Sequence, residues 1–192
     1  MAAVAKERLK SPRARLFVAL DLPEEVREGI VAWGREALAD PALRPVAPES
    51  LHVTLAFLGY RPEKEIERIA EAVRECAGPA PWVELLDPVQ RPPRGRARIY
   101  ALPALSPGTE ALQAGVEQRL GQEGFYKPEK RPFWPHVTLA RAKRGKSPRR
   151  LEPPDLPPEL RSPFEAGEVT LYRSTLRPQG ALYEPLARTS LA

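Results

Sequence analysis

His52-Val53-Thr54-Leu55-Ala56 and His136-Val137-Thr138-Leu139-Ala140 are two copies of one pentapeptide, and together they contain both histidines of the chain. Each copy alternates polar and apolar side chains, which is the pattern of a β-strand with one buried face. We predict one strand over 51–58 and another over 133–141. Each strand then turns its histidine and threonine toward a cleft and its valine and leucine into the core.

The repeated histidine and threonine predict acid–base chemistry on a phosphate. Histidine has the unperturbed pKa closest to neutrality, so it is the usual proton carrier in catalysis. A single His-x-Thr is common and usually structural, whereas two matched copies that use every histidine favour one shared site. One imidazole can take a proton from water or a hydroxyl, the other can protonate the departing oxygen, and the threonines can bind non-bridging phosphate oxygens. This scheme requires no metal ion.

The composition is that of a soluble globular protein with an excess of positive charge. The 192 residues fit one large domain or two small lobes, and the net charge is +5 with a pI of about 9.5. The arginine excess suits a polyanionic partner, but a compositional bias, supported by the 24 prolines, explains it as well. Cys76 is the only cysteine, so no internal disulfide can form. No secretory or membrane-spanning segment is visible, so we expect a cytoplasmic protein without membrane contact.

The rest of the chain is predicted from periodicity and turn residues to alternate between strands and helices. Further strands are predicted over 16–20, 82–86, 99–102, 169–172 and 181–186. One helix should begin at 21–25 and end before Pro41 and Pro45, a second should lie between Pro62 and Gly78, and a third should span about 109–120. Residues 143–163, rich in proline and charge, are predicted to form a long surface loop.

Several segments in addition to the pentapeptides carry a family resemblance. They are residues 15–23, 51–59, 131–139 and 171–174, with Gly180 and Tyr183 in the tail. On these segments the chain resembles the 2H phosphoesterase superfamily, specifically the bacterial and archaeal RNA 2′,3′-cyclic phosphodiesterases that are also named 2′-5′ RNA ligases. The segments occur in family order and span nearly the whole chain.

The resemblance implies a fold and an activity. The fold is α+β, with residues 1–192 forming a single bilobal domain. Its two pseudo-twofold-related lobes are each a small, mainly antiparallel sheet with helices on the outer face, and they flank a central groove across which the motif strands face each other. Family members open a 2′,3′-cyclic phosphate at an RNA end to leave a 2′-phosphate, and they can join RNA halves by a 2′-5′ linkage without ATP.

The resemblance also implies residue roles. His52 is the general acid that protonates the departing 3′ oxygen, and His136 is the base that activates water or an attacking 5′-hydroxyl. Thr54 and Thr138 hold the phosphate, and Arg141 reaches it. Strict alternation places Arg141 on the opposite face from His136, so its role requires a bulge or a strand end at this point.

The implied partner is RNA with a 2′,3′-cyclic phosphate end, with tRNA halves among the candidates. No cofactor, no metal and no obligate protein partner is expected, and the protein is expected to be a monomer. The physiological RNA and the importance of joining in the cell remain open.

Some aromatic and basic residues are secondary candidates for RNA contact. Phe57 is expected to be core, whereas Phe17, Trp134 and Tyr126 are candidates for stacking or for the groove edge. Arg131 is an alternative phosphate ligand, although solvation is its expected fate. Two basic stretches either track an RNA backbone or form solvated surface. They comprise Arg91, Arg94, Arg96 and Arg98, and then Arg141, Lys143, Arg144, Lys146, Arg149 and Arg150.

Three other functions compete with this interpretation. A zinc hydrolase would normally need three protein ligands, and the chain offers two histidines and one cysteine before carboxylates are considered. A non-enzymatic RNA-binding module would use its arginines and keep its function without His52 or His136. Another branch of the same superfamily would act on a small cyclic nucleotide or an ADP-ribose cyclic phosphate, and the basic stretches argue against it only in part.

Overall fold

The computed structural model of the chain describes residues 12–92, 98–146, 154–178 and 180–192. The strands in these ranges are β1 (Arg13–Asp21), β2 (Leu43–Pro45), β3 (His52–Pro62), β4 (Trp82–Leu85), β5 (Val89–Arg91), β6 (Ile99–Leu105), β7 (His136–Ala142), β8 (Phe164–Glu165), β9 (Glu168–Arg177) and β10 (Gly180–Ser190). The α-helices in the same ranges are α1 (Glu24–Ala37), α2 (Ile66–Arg74), α3 (Pro107–Gln122) and α4 (Pro158–Arg161).

The strands form one long antiparallel path. Its order is β10-β9-β1-β3-β7-β6-β4-β8, with β2 paired to β7 and β5 paired to β6. The α+β class and the mainly antiparallel sheet are therefore confirmed. The two motif strands, β3 and β7, are direct neighbours in this path. The pseudo-twofold relation between two lobes stays a prediction.

The first strand is the centre of the core. As the apolar run predicted, β1 is buried on both faces, with Leu16, Val18 and Leu20 on one side and Phe17 and Ala19 on the other. It pairs with β3 on one edge and β9 on the other. This placement explains why the run contains almost no polar residue.

The three longer helices lie where the sequence predicted them, with small shifts at their ends. α1 begins directly after Pro23 and ends at Ala37, well before the prolines expected to stop it. After this helix, Leu43–Pro45 forms β2, a strand that the sequence analysis did not predict. α2 starts later than expected because Glu63–Glu65 forms a 3₁₀ turn. In α3 the Ser106 hydroxyl caps the helix by accepting the Thr109 N–H at 3.0 Å.

The predicted surface loop over 143–163 is wrong in its second half. Leu156 is almost fully buried, and its N–H donates to Asp87 Oδ1 at 2.9 Å. Arg161, at the end of α4, pairs with the same carboxylate at 2.5 Å. Burial of Leu156, together with the bonds from Leu156 and Arg161 to the Asp87 carboxylate, thus holds this segment in place. Its proline and charge content had predicted a loop.

The final hairpin is confirmed and is longer than predicted. β9 and β10 pair along nearly their whole length, from Ser190↔Glu168 to Gly180↔Arg177. Gly180 has a φ of 143°, which favours glycine at this turn. No helix in the described part of the chain is long and apolar enough to cross a bilayer.

Candidate active site

The two motif strands bring their histidines and threonines onto one face of the sheet. β3 and β7 pair at Val53↔Val137, and both valines are fully buried. Directly opposed residues in an antiparallel pair point to the same side, and their sequence neighbours point to the other. The four polar side chains His52, Thr54, His136 and Thr138 line one cleft of about 390 Å³. The predicted orientation of both motifs is confirmed.

Arg141 lines the same cleft because β7 contains a bulge. β6 pairs Ala101 with Thr138 and then Tyr100 with Ala140, which leaves Leu139 without a partner. Leu139 and Ala140 are both buried, so the alternation is reset and Arg141 returns to the face of Thr138. The structure thus contains the irregularity that a phosphate contact by Arg141 requires.

The first motif has the same irregularity at the equivalent place. β1 pairs Ala19 with Thr54 and then Val18 with Ala56, which leaves Leu55 unpaired. The residue turned into the cleft by this bulge is Phe57, whose side chain is 49% exposed. The expectation that Phe57 is core is therefore wrong, because the bulge at Leu55 interrupts the alternation of side chains along β3.

His52 is enclosed by aromatic rings. Its ring centroid lies 5.1 Å from Phe17, 5.5 Å from Tyr183 and 6.0 Å from Tyr172. The Tyr172 hydroxyl donates to Asp21 at 3.0 Å, which fixes the far wall of this aromatic enclosure. The Nδ1 atom of His52 is buried and has no hydrogen-bond partner among the described residues.

This enclosure makes His52 a weak base. Burial, and after it the positive charges of His136 and Arg141, together lower the pKa of His52 from 6.5 to about 4. His52 is therefore neutral at pH 7 when no anion lies in the cleft.

Trp134, just before β7 begins, orients the His136 ring. Its Nδ1 lies 2.7 Å from the Trp134 carbonyl oxygen. A carbonyl can only accept, so Nδ1 carries the hydrogen and the neutral ring keeps a free lone pair on Nε2. Burial lowers the pKa of His136, and the neighbouring Arg141 and Arg91 lower it too, while the bond to the carbonyl opposes them.

Trp134 forms the middle layer of a three-part stack. Its ring lies parallel to that of His136, with a centroid distance of 4.0 Å and an interplanar angle of 14°. The Arg91 guanidinium lies 4.7 Å from the Trp134 ring centroid. Because a stacked imidazole at this distance fills one face, the guanidinium must cover the other. Neither face of Trp134 is left for a nucleobase.

The other aromatic candidates divide between core and cleft wall. Phe17 is fully buried and stacks on Tyr172 at 5.2 Å, so it supports His52 and cannot receive a base. Tyr126 is buried, and its hydroxyl donates to Glu117. Of these candidates, Phe57 is the one that lines the cleft with an exposed side chain.

Two further arginines line the cleft that the sequence analysis did not single out. The Arg15 guanidinium donates to Ser174 Oγ at 2.8 Å, and Arg44 donates to the Pro178 carbonyl at 3.2 Å. Arg15 lies within the first family-like segment, which is a signal that could have revealed it. Arg44 lies on the missed strand β2, and no local pattern marks it.

The two basic stretches are only partly in the described ranges. Arg94, Arg96, Arg149 and Arg150 lie outside the described residues. Of the others, Arg91 covers Trp134, Arg141 lines the cleft, and Lys143 donates to the Pro41 carbonyl at 2.7 Å. Arg131 lies beside the cleft in a neighbouring chamber. Among the residues that the structure describes, no cluster of three histidine, cysteine or carboxylate side chains could hold a metal ion.

The 2′-5′ RNA ligase superfamily matches residues 22–177, which is most of the chain and includes both motifs. The chain belongs to this superfamily. Two relatives with curated names match it along most of their length. A Thermus thermophilus protein named RNA 2′,3′-cyclic phosphodiesterase is 37% identical over 187 residues, which cover 92% of this chain and 90% of that protein. An Escherichia coli protein of the same name is 34% identical over 182 residues, covering 92% and 96%.

Solved structures of 2′-5′ RNA ligase relatives have the same fold. A crystal structure of a Thermus thermophilus protein superposes with a TM-score of 0.78 at 34% identity, covering 92% of this chain and 97% of the other. Apo E. coli LigT gives a TM-score of 0.77 at 31% identity, with coverages of 95% and 99%. LigT complexed with 3′-AMP gives 0.78 at 30% identity, with coverages of 94% and 99%.

Proposed function

We propose that this protein is an RNA 2′,3′-cyclic phosphodiesterase that opens the cyclic phosphate to a 2′-phosphate by two-histidine acid–base catalysis. The observation that carries the proposal is the shared cleft, in which both imidazoles, both threonine hydroxyls and the Arg141 guanidinium meet. The curated names of the relatives and the 3′-AMP complex of LigT support the substrate class.

His136 is the base in this reaction. Its Nε2 lone pair takes a proton from a water molecule, whose oxygen attacks the phosphorus. The bond from phosphorus to the 3′ oxygen breaks, and His52 gives its proton to that oxygen. The products are a 3′-hydroxyl and a 2′-phosphate, and a proton passed through solvent returns both imidazoles to their starting states.

Thr54, Thr138 and Arg141 bind the non-bridging oxygens as charge grows on them. Donors fixed in advance around a developing oxyanion commonly contribute a factor of about 10²–10³ in rate each. The buried Leu-Ala pairs behind both threonines hold these donors on rigid strands. No metal ion or other cofactor enters this mechanism.

The same site can join RNA ends. A 5′-hydroxyl that replaces water attacks the cyclic phosphate, the bond to the 3′ oxygen breaks, and a 2′-5′ linkage forms without ATP. Both reactions attack the same phosphorus and release the same 3′ oxygen, so the two imidazoles keep the same roles in both. We include this 2′-5′ ligase activity in the proposal as a second reaction of one site.

We also propose that residues 1–192 form one bilobal domain with pseudo-twofold symmetry. The matching bulges after Thr54 and Thr138 support it, as does the division of the strand path into β10-β9-β1-β3 and β7-β6-β4-β8. The protein is proposed to act as a cytoplasmic monomer on RNA ends, tRNA halves included, with no protein partner or membrane required.

An oligonucleotide that ends in a 2′,3′-cyclic phosphate tests the proposal. The wild type should convert it to a 2′-phosphate, mapped by resistance of the product to enzymes that need a 3′-phosphate. His52→Ala and His136→Ala should each lower turnover by about 10²–10⁴-fold while RNA binding is largely kept.

Threonine variants supply a matched comparison. Thr54→Ala and Thr138→Ala should lower kcat, whereas Thr175→Ala, at an exposed position of β9, should leave it unchanged. Full turnover by either histidine variant would refute the proposed chemistry and leave a non-enzymatic RNA-binding module as the better interpretation.

A further inference from the structure

A second chamber opens beside the proposed catalytic cleft. Its volume is about 500 Å³, which is within the usual range for a small-ligand pocket. It shares Thr54, Phe57 and His136 with the cleft. A ligand held at the two histidines can therefore extend directly into this chamber.

The cleft and the chamber differ in charge. The cleft is lined by Arg15, Arg44 and Arg141, and none of its described lining residues is acidic. The chamber is lined by the carboxylates of Glu117 and Glu129 and by one arginine, Arg131. Phosphates of an RNA chain are favoured in the cleft, and an uncharged group that can donate hydrogen bonds is favoured in the chamber.

Gln113 gives the chamber a polar group without a protein partner. Its side chain lines the chamber, the residue is only 8% exposed, and its amide has no hydrogen bond with any other described residue. The amide is open to the chamber and has no partner among the described residues, so it is available to hydrogen-bond a ligand that enters. Glu117 lies one helical turn further along α3, on the same face, and the Tyr126 hydroxyl holds one of its carboxylate oxygens.

Phe57 supplies the flat apolar wall. It is half exposed and borders both spaces, with the Arg15 guanidinium 5.8 Å from its centroid. Trp134 also borders the chamber, but its two faces are already covered by His136 and Arg91. A planar ring entering the chamber thus finds one aromatic face on Phe57.

We propose that the chamber binds the terminal nucleobase of the substrate and selects bases with an exocyclic amino group over uracil. This inference rests on the proposed function, because it assumes that the cyclic phosphate lies between the two histidines. Glu117 accepts hydrogen bonds from the amino group of adenine, cytosine or guanine, and the Gln113 amide donates to the neighbouring ring nitrogen or carbonyl of the base. Uracil offers a single N–H between two carbonyl oxygens, both of which the carboxylate repels.

Four oligonucleotides that differ only in the base next to the cyclic phosphate test this selection. We expect kcat/KM for the uridine end to be about tenfold lower than for the other three, the value of one or two good hydrogen bonds. Glu117→Gln should narrow the difference, since its amide can donate to a uracil carbonyl while still accepting from Tyr126. Glu110→Gln, at an exposed position of the same helix, is the matched control and should keep the wild-type preference.

A second variant tests the same base preference and does not depend on whether Glu117→Gln folds stably. Gln113→Leu should lower kcat/KM for the three amino-bearing bases and change that for uracil by less than about twofold. Equal rates on all four ends by the wild type would overturn this inference and leave the proposed function intact. A wild type that opens none of the four ends would instead overturn the proposed function itself.

Discussion

His52 and His136 must differ in protonation for acid–base catalysis, yet burial favours the neutral form of both. The pKa of His52 falls from 6.5 to about 4, and that of His136 also falls, with Arg141 contributing to both shifts. A bound phosphate supplies negative charge between them and raises both pKa values again. Substrate binding and protonation of the acid are therefore coupled.

We expect kcat/KM to follow a bell-shaped pH profile with its maximum below pH 6.5, the unperturbed value for both groups. kcat/KM reports the free enzyme, whose active form has one histidine charged and the other neutral. Above the higher of the two lowered pKa values both imidazoles are neutral, and below the lower one both are protonated, so the active form is lost on either side. Initial rates at limiting substrate from about pH 4 to pH 8 measure the profile. A flat profile would contradict paired imidazole chemistry.

Arg141 should influence both rate and pH dependence. Arg141→Ala should lower kcat/KM by about 10²-fold, since it removes a donor to the phosphate. It should also move the profile to higher pH, because its guanidinium lowers the pKa of both histidines. Arg141→Lys should keep the pH profile and recover part of the rate.

The control for this residue is Arg35→Ala, at an exposed position of α1 outside the lining of the cleft. It should match the wild type in rate and in pH profile. A loss of rate in Arg141→Ala with an unmoved profile would show that the guanidinium acts without the electrostatic coupling described above.

The β7 strand and its entry determine where two of the proposed functional groups lie. The bulge at Leu139 returns Arg141 to the cleft, and the Trp134 carbonyl fixes the His136 tautomer. Regular alternation would have turned Arg141 away from the phosphate. β7 therefore places Arg141 in the cleft through a departure from ideal strand geometry at Leu139.

Trp134 should act as a positioning residue for His136. Trp134→Leu keeps the carbonyl acceptor but removes the stacked ring, so the imidazole gains freedom. We expect kcat to fall about tenfold with KM changed by less than about twofold, and Trp134→Phe to recover part of kcat. Separate kcat and KM values, with thermal unfolding as a check on the fold, measure this effect.

Trp82 offers a comparison, because its side chain is exposed and does not line the cleft. Trp82→Leu should leave both kinetic constants unchanged. If Trp134→Leu has the same kcat as the wild type, the stack has no role in orienting the base.

At the scale of the whole molecule, the described part of the chain brings three arginines together at the cleft in which we propose that RNA lies. The net charge is +5, and Arg15, Arg44 and Arg141 all face one cleft. Arg44 lies on β2, which pairs with β7, whereas Arg15 lies on β1, which pairs with β3 and β9, so only the folded molecule brings the two arginines together. This arrangement favours the polyanion interpretation of the composition.

RNA affinity should therefore depend on salt. For a single strand, log K should fall against log salt concentration with a slope of about 0.7 for each phosphate that is neutralised. Arg15→Ala and Arg44→Ala should each reduce that slope by about 0.7, whereas Arg27→Ala, on α1 outside the cleft, should not. Binding titrations of a fluorescent oligonucleotide between low and moderate salt measure it. An affinity that hardly changes with salt would contradict tracking of the backbone by these arginines.

Local sequence patterns predicted those parts of this protein whose conformation depends mainly on neighbouring residues in the chain. The alternation in both pentapeptides fixed which side chains of His52-Val53-Thr54 are buried, and helical spacing located α1, α2 and α3 to within one turn or so at their ends. The repeat itself indicated one site in two halves, since nothing else in the chain repeats a histidine.

The remaining features arise from contacts between distant segments, which no local pattern encodes. The bulges that expose Phe57 and Arg141 depend on the register with β1 and β6, and Arg44 reaches the cleft because β2 pairs with β7. Leu156 is buried in a core formed by residues far away in sequence, so the sequence of its own segment predicted only a loop. Pairing register and long-range burial are properties of the assembled sheet, and they determined the shape, charge and protonation of the cleft.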